Sequence, residues 1–238
     1  MSTSTTRRIE WSVHDKTFEG VLALPSSNPK GAVLICHAWG GRGEHEEAFA
    51  ERLAGLGYAA MAGDVYGKGV RGTNNEENEA LMTPLAQDRA MLQERLRAAL
   101  SALSEQPEVD ASAMAVTGFC FGGLCTLDLA RAHAPVKGAA AFHAILAPAD
   151  PFTDGDITAK VIAFQGFDDP MAGPDDLKAF GEEMTARKAD WQLHAYGGVA
   201  HAFTNEAANM PEAGLMFDEN ARDRSYEALE NFLTELFV

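Results

Sequence analysis

The stretch Ala115-Val116-Thr117-Gly118-Phe119-Cys120-Phe121-Gly122-Gly123-Leu124 decides the fold. The residues from Ala113 to Phe119 suit a short buried strand, and those from Phe121 to His133 suit a helix. A single residue, Cys120, is left to make the turn between them. Such a turn is strained and tight, and Gly118 and Gly122 suit it because bare residues on either side of Cys120 let neighbouring backbone pass close. The start of the helix presents unpaired N–H groups and the positive end of its dipole to Cys120, which favours thiolate over thiol. The pattern fits an exposed nucleophile. It fits equally a buried cysteine in an ordinary glycine-rich turn, because free cysteine is among the most buried residue types.

Outward from this turn, strands and helices alternate. Toward the N-terminus, Arg8–Val13 and Thr17–Leu24 around His14-Asp15-Lys16 predict a hairpin lying over a sheet edge. Gly31–Cys36 predicts a strand buried on both faces, Glu44–Leu56 a helix stopped by Gly57, and Tyr58–Ala62 another strand. Gly63–Thr83 is expected to be a long loop and Pro84–Leu103 one strong helix. Toward the C-terminus the strands are Val136–Phe142, Lys160–Gln165 and Trp191–Tyr196, and the helices Pro174–Lys188 and Arg222–Phe237. This order predicts an α/β fold with a mostly parallel central sheet and helices on both faces, a single domain over residues 1–238. In such sheets ligands bind at the carboxyl ends of the strands. The loops starting at His37, Gly63, Cys120, His143, Gly166 and Gly197 are therefore the places to search.

Composition narrows the partners. The chain has 238 residues, 46% hydrophobic, with a formal net charge of −16. That charge repels polyanions and argues against nucleic acid. No apolar run approaches the roughly 20 residues a membrane helix needs, and the polar start MSTSTTRR lacks the core of a signal peptide. A soluble, cytoplasmic protein, monomeric or a small homo-oligomer, is expected. Cys36, Cys120 and Cys125 are an odd number, which argues for free thiols over a disulfide framework.

A nucleophile turn of this type is followed along the chain by an acid and then a histidine, each on a loop after a later strand. Gly166-Phe167-Asp168-Asp169-Pro170 follows one strand, and Gly197-Gly198-Val199-Ala200-His201 follows the next. Asp169 is preferred to Asp168 because it immediately precedes Pro170 at the turn. Of the seven histidines, His201 alone has an acid upstream and a glycine-rich, flexible loop around it. His37 and His143 follow strands and could line the same site. No two of His37, His143 and His201 have the spacing of paired helical metal ligands, so no metal is expected.

Together these motifs resemble the dienelactone hydrolase family of α/β-hydrolases: Gly118 to Gly123, Gly166 to Pro170, His201-Ala202-Phe203, and the loop His37-Ala38-Trp39-Gly40-Gly41. The resemblance implies Cys120 as nucleophile, Asp169 and His201 as its partners, and the amides of Phe121 and Ala38 as an oxyanion hole. It also implies hydrolysis of an enol lactone or related ester, without metal or organic cofactor, through an acyl-thioester. Members acting on chlorocatechol-derived lactones carry a Glu where this chain has His37. They also carry two Arg residues, matched here by Lys68 and Asn205.

Lys68, Arg71 and Arg42, all on strand-end loops, are expected to make a locally basic mouth for a small ester, one bearing a carboxylate among the candidates. His37, Trp39 and Phe203 are the other expected substrate contacts, and Phe119, Phe121, Phe142 and Phe167 lie nearby. The alternative is a redox-sensing or regulatory thiol, with Cys125 or Cys36 resolving Cys120. Cys125, five residues along the same helix, would face Cys120 poorly.

Overall fold

The computed structural model describes residues 4–149, 152 and 154–237; the first three residues of the polar start lie outside them. Eight strands form one sheet in the order β1-β2-β4-β3-β5-β6-β7-β8. The ranges are β1 Thr5–Val13, β2 Lys16–Leu24, β3 Ala32–Cys36, β4 Ala59–Ala62, β5 Met114–Phe119, β6 Gly138–Phe142, β7 Lys160–Gly166 and β8 Trp191–Tyr196. From β4 to β8 every neighbouring pair is parallel, and the antiparallel pairs are β1 with β2 and β2 with β4. The hairpin is therefore part of the sheet and forms its edge, where it had been expected to lie over it.

The central strands are apolar without alternation because both faces are covered. Along β3, Leu34 and Cys36 face one core and Val33 and Ile35 the other. The first core is packed by α3 Arg89–Ser104, α4 Phe121–Arg131 and α5 Pro174–Ala186, and the second by α1 Glu44–Gly55 and α6 Glu219–Leu236. In the second core Phe142 stacks between Phe119 and Phe164, with ring centroids 5.0 and 4.6 Å away. Each such buried ring contributes about 1.5–3 kcal/mol. The stack makes a stiff floor beneath the end of β5, where the nucleophile turn begins.

Two elements differ from expectation. The second half of the expected loop is helical, as α2 Asn75–Gln87, and the single helix over 84–103 is split at Asp88. Asn74 caps α2 by accepting the Glu77 N–H at 2.9 Å, and Glu76 and Glu77 complement the dipole at its start. The acidic run Glu76-Glu77-Asn78-Glu79 thus forms the start of a helix. Pro84 lies inside α2, where a missing N–H weakens the helix, and Asp88 ends it. The Asp88 carboxylate then caps α3 through the Met91 N–H at 2.9 Å. Beyond β8, a small hairpin of β9 Asn209–Met210 and β10 Leu215–Met216 precedes α6; it was not anticipated.

Candidate active site

The turn after β5 has the strain its sequence foretells. Cys120 has φ 57° and ψ −115°, a backbone conformation unfavourable for a residue with a side chain. It is held there by its N–H donating to the Phe142 carbonyl at 3.0 Å, while its own carbonyl accepts from Gly123 and Leu124. Both glycines are sterically required. A Cβ on Gly118 would stand 2.3 Å from the Gly122 carbonyl oxygen, and one on Gly122 would stand 2.0 Å from that of Cys36. The thiol of Cys120 is half-buried, whereas Cys36 and Cys125 are buried. Burial pushes the Cys36 thiol up to about 12 and the Cys125 thiol well above its ordinary value.

The acid and the histidine meet across the ends of β7 and β8. Gly166 makes this possible, since a Cβ there would lie 2.3 Å from the Val199 carbonyl oxygen. His201 Nδ1 is 2.7 Å from Asp169 Oδ2, and Asp169 Oδ1 accepts the Met171 N–H at 2.8 Å. Asp169 is buried, while its rival Asp168 is exposed and turned away. The carboxylate keeps the proton on Nδ1 and leaves Nε2, buried and without a hydrogen bond, to accept one. Burial lowers the pKa of His201, but the bond to Asp169 and the neighbouring Cys120 more than offset it and raise it to about 10.

The loop carrying His201 is not flexible, contrary to expectation. The His201 N–H donates to Gly214 at 2.9 Å, its carbonyl accepts from Met216 at 3.0 Å, and Leu215 bridges to it. Gly214 in turn packs on Pro170, whose Cγ would lie 2.4 Å from a Cβ at Gly214. The C-terminal hairpin thus clamps the acid loop and the histidine loop together.

Cys120 and His201 line one cavity of about 650 Å³ at the carboxyl ends of the strands. Its walls are largely apolar, from Trp39, Met82, Phe119, Ile145, Met171 and Leu215. His143, which follows β6, also lines it; its ring meets that of His201 edge-on at 5.0 Å, and its Nε2 lies 2.8 Å from Thr204 Oγ1. Burial, with His201 and His45 adding to it, holds the His143 pKa well below the usual value. Two adjacent imidazoles are therefore driven in opposite directions, one toward the cation and one toward the neutral ring.

Several expected contacts are placed elsewhere. Lys68 is outside the cavity, its ammonium 2.6 Å from Glu10 on the N-terminal hairpin. Arg42 is also drawn away, by Glu19 and Glu47. Of the expected basic mouth only Arg71 lines the cavity. His37 is buried, donating from Nδ1 to the Ala38 carbonyl at 2.7 Å and accepting the Val65 N–H on Nε2, so it braces the loop and does not face substrate. Phe203 is fully buried against His143 and Tyr196, a core ring and not a wall of the cavity. Trp39 and Asn205 do line it.

The two amides expected to form an oxyanion hole are placed differently. Phe121 opens α4, so its N–H has no intrahelical acceptor. The Ala38 N–H, expected to be free, is donated to Glu46 Oε1 at 3.2 Å. Glu46 had not been singled out, although a Glu three residues after Gly43 at a helix start is a capping signal, and its Oε2 accepts the Gly43 N–H at 2.9 Å. Among the described residues no group of three or more His, Cys, Asp or Glu side chains is arranged to hold a metal ion, and no helix is long and apolar enough to cross a membrane.

The overall fold recurs among known proteins. The model of the dienelactone hydrolase family matches residues 18–237. The crystal structure of a dienelactone hydrolase-like promiscuous phosphotriesterase from metagenomic libraries superposes with a TM-score of 0.92 at 33% identity, covering 98% of each chain. An uncharacterized protein of Caenorhabditis elegans is 37% identical over 150 residues, which is 62% of this chain and 95% of that one. A putative carboxymethylenebutenolidase of Aquifex aeolicus is 24% identical over 203 residues, 83% of this chain and 87% of that one.

Proposed function

The chain belongs to the dienelactone hydrolase family, and on that premise we propose that it cleaves small, neutral esters or enol lactones through Cys120, His201 and Asp169. That it is an ester or lactone hydrolase follows from the family. The finer assignment is supported above all by one arrangement: a histidine bonded to a buried carboxylate through Nδ1, with a bare Nε2 in the same cavity as a strained, half-buried cysteine.

The raised pKa of His201 favours an imidazolium beside a Cys120 thiolate. The thiolate attacks the ester carbonyl, and negative charge collects on its oxygen, which backbone amides at the start of α4 and after β3 are suited to hold. His201 gives its proton to the departing alkoxide, leaving an acyl-thioester and a neutral imidazole. That imidazole takes a proton from water as the water attacks the thioester, and the acid product leaves with thiolate and imidazolium restored. Asp169 fixes the tautomer and stabilises the imidazolium throughout. Neutral His143 adds no second positive charge to compete with this cycle. A thiolate leaves more readily than an alkoxide, so activated esters and lactones suit it better than amides.

The substrate is inferred to be neutral because the cavity walls are largely apolar and two of the three expected cations are engaged elsewhere. The redox alternative is disfavoured because both possible resolving thiols are buried and pushed away from the thiolate form. Hydrolysis of p-nitrophenyl esters and of dihydrocoumarin tests the proposal. The expected result is turnover that is lost in both Cys120→Ala and His201→Ala; full activity in Cys120→Ala would refute it.

A further inference from the structure

Two groups in the cavity are out of place for this reaction. The first is the Glu46 carboxylate, 3% exposed, which holds the Ala38 N–H that an oxyanion needs. It forms no ion pair with any described residue and is held by the Ala38 and Gly43 amides at the start of α1. The second is Arg71, an exposed residue that lines the same cavity and forms no ion pair with any described residue. The two lie close together without touching. A Cβ on Gly43 would be 2.5 Å from Arg71 Nη2 and 3.6 Å from Glu46 Oε2. Gly43 puts no side chain between them.

We propose that Glu46 is a gate on the oxyanion hole and that Arg71 is the group that draws it open; this rests on the ester-hydrolase function proposed above. One N–H cannot serve two anions at once, and two negative oxygens this close, one of them on a buried carboxylate, repel each other strongly. When the substrate carbonyl gains charge, Glu46 must give up Ala38. Rotation of its side chain toward Arg71 exchanges a bond to an amide for a pair with a cation, and Oε2 can stay near Gly43. No covalent bond changes. Glu46 acts through the Ala38 amide and is a positioning residue. The closed gate also sets specificity, because an anionic acyl group entering beside Ala38 meets a carboxylate already there.

The test is a double-mutant cycle on p-nitrophenyl butyrate with wild type, Arg71→Gln, Glu46→Gln and the double variant, using Cys120→Ala as blank. Arg71→Gln removes the receiving cation and is expected to lower kcat about tenfold with KM within about twofold, the pattern of an interaction made only in the transition state. Glu46→Gln weakens the hold on Ala38 and is expected to raise kcat about twofold or more. In that background Arg71→Gln should change kcat by no more than about twofold, because the two residues act as one device. Arg71→Lys restores the charge and should recover most of the loss. Equal losses from Arg71→Gln in both backgrounds, no loss at all, or abolition of activity in a folded Glu46→Gln would overturn the gate. Should Glu46→Gln not fold, Arg71→Gln against Arg71→Lys decides: recovery by Lys supports the gate, and equal rates refute it. An inactive wild type, or Cys120→Ala as fast as wild type, would sink the hydrolase proposal and the gate with it; additive losses in an active enzyme sink the gate alone.

Discussion

Replacing Asp169 by Asn keeps the size of the side chain and removes its charge, and the structure says what must follow. Asp169 uses both oxygens, one for the Met171 N–H at 2.8 Å and one for His201 Nδ1 at 2.7 Å. An amide has only one oxygen. If it stays with Met171, an NH2 group faces Nδ1 and forces the ring proton onto Nε2, the nitrogen that must be free to take a proton from water. If the amide flips, the Met171 N–H is left without a partner. Wrong-tautomer substitutions of this kind lower kcat by about 10⁴ in serine triads. A thiolate needs less help to attack, so a fall of about 10³ with little change in KM is expected here. The pH profile moves as well. His201 in the wild type is raised to about 10, so the imidazolium that protonates the leaving group persists until the pH rises through that value. The wild-type alkaline limb should lie near there, and in Asp169→Asn it should fall by more than about one unit toward the ordinary histidine value. Asp168→Asn is the control and should stay within about twofold of wild type. Stopped-flow hydrolysis of p-nitrophenyl acetate from pH 5 to 11 measures both quantities. A kcat within about tenfold of wild type, or an alkaline limb that does not move, would refute the role given to Asp169.

Other consequences are simpler to check. Gly122→Ala places a Cβ 2.0 Å from the Cys36 carbonyl oxygen with backbone on both sides, so it should destabilise by about 3 kcal/mol or more, read as a melting temperature lower by about 6–12 °C. Lys68→Gln removes a charge paired with Glu10 outside the cavity and should leave kcat/KM for neutral and anionic esters within about twofold of wild type. Asp128→Ala leaves Arg89 and the fully buried Arg131 without their shared carboxylate, and calorimetry should show a loss of about 3–5 kcal/mol. The raised pKa of His201 adds stability that is complete below about pH 6.5 and is lost as the pH rises toward 10, so urea unfolding of the wild type should weaken across that window.

The parts of this molecule that sequence reveals are those with local causes. The turn at Cys120 was recognisable because a close backbone approach demands Gly118 and Gly122, and the buried strands because parallel sheets need unbroken apolar runs. Asp169 could be preferred to Asp168 from its place before Pro170, and it is Asp169 that reaches His201. What escaped was set by tertiary partners. Lys68 and Arg42 lie on strand-end loops but are drawn off by Glu10, Glu19 and Glu47, carboxylates brought near by folding. The stiffness of the His201 loop comes from β10 pairing with it, which no feature near His201 announces. Glu46 and the start of α2 belong to a third kind, since their capping signals were present at Gly43–Glu46 and Asn74–Glu77 but stood in segments dominated by glycine and acidic residues.

The central claim is that Cys120 carries the acyl group during turnover. Rapid acid quench of the enzyme with p-nitrophenyl acetate, followed by peptide mass mapping, measures this directly. A single acetyl group on the peptide bearing Cys120, absent from Cys120→Ala and accompanied by unmodified Cys36 and Cys125, is the predicted result. An acetyl group on another side chain, or hydrolysis at the wild-type rate by Cys120→Ala, would contradict it.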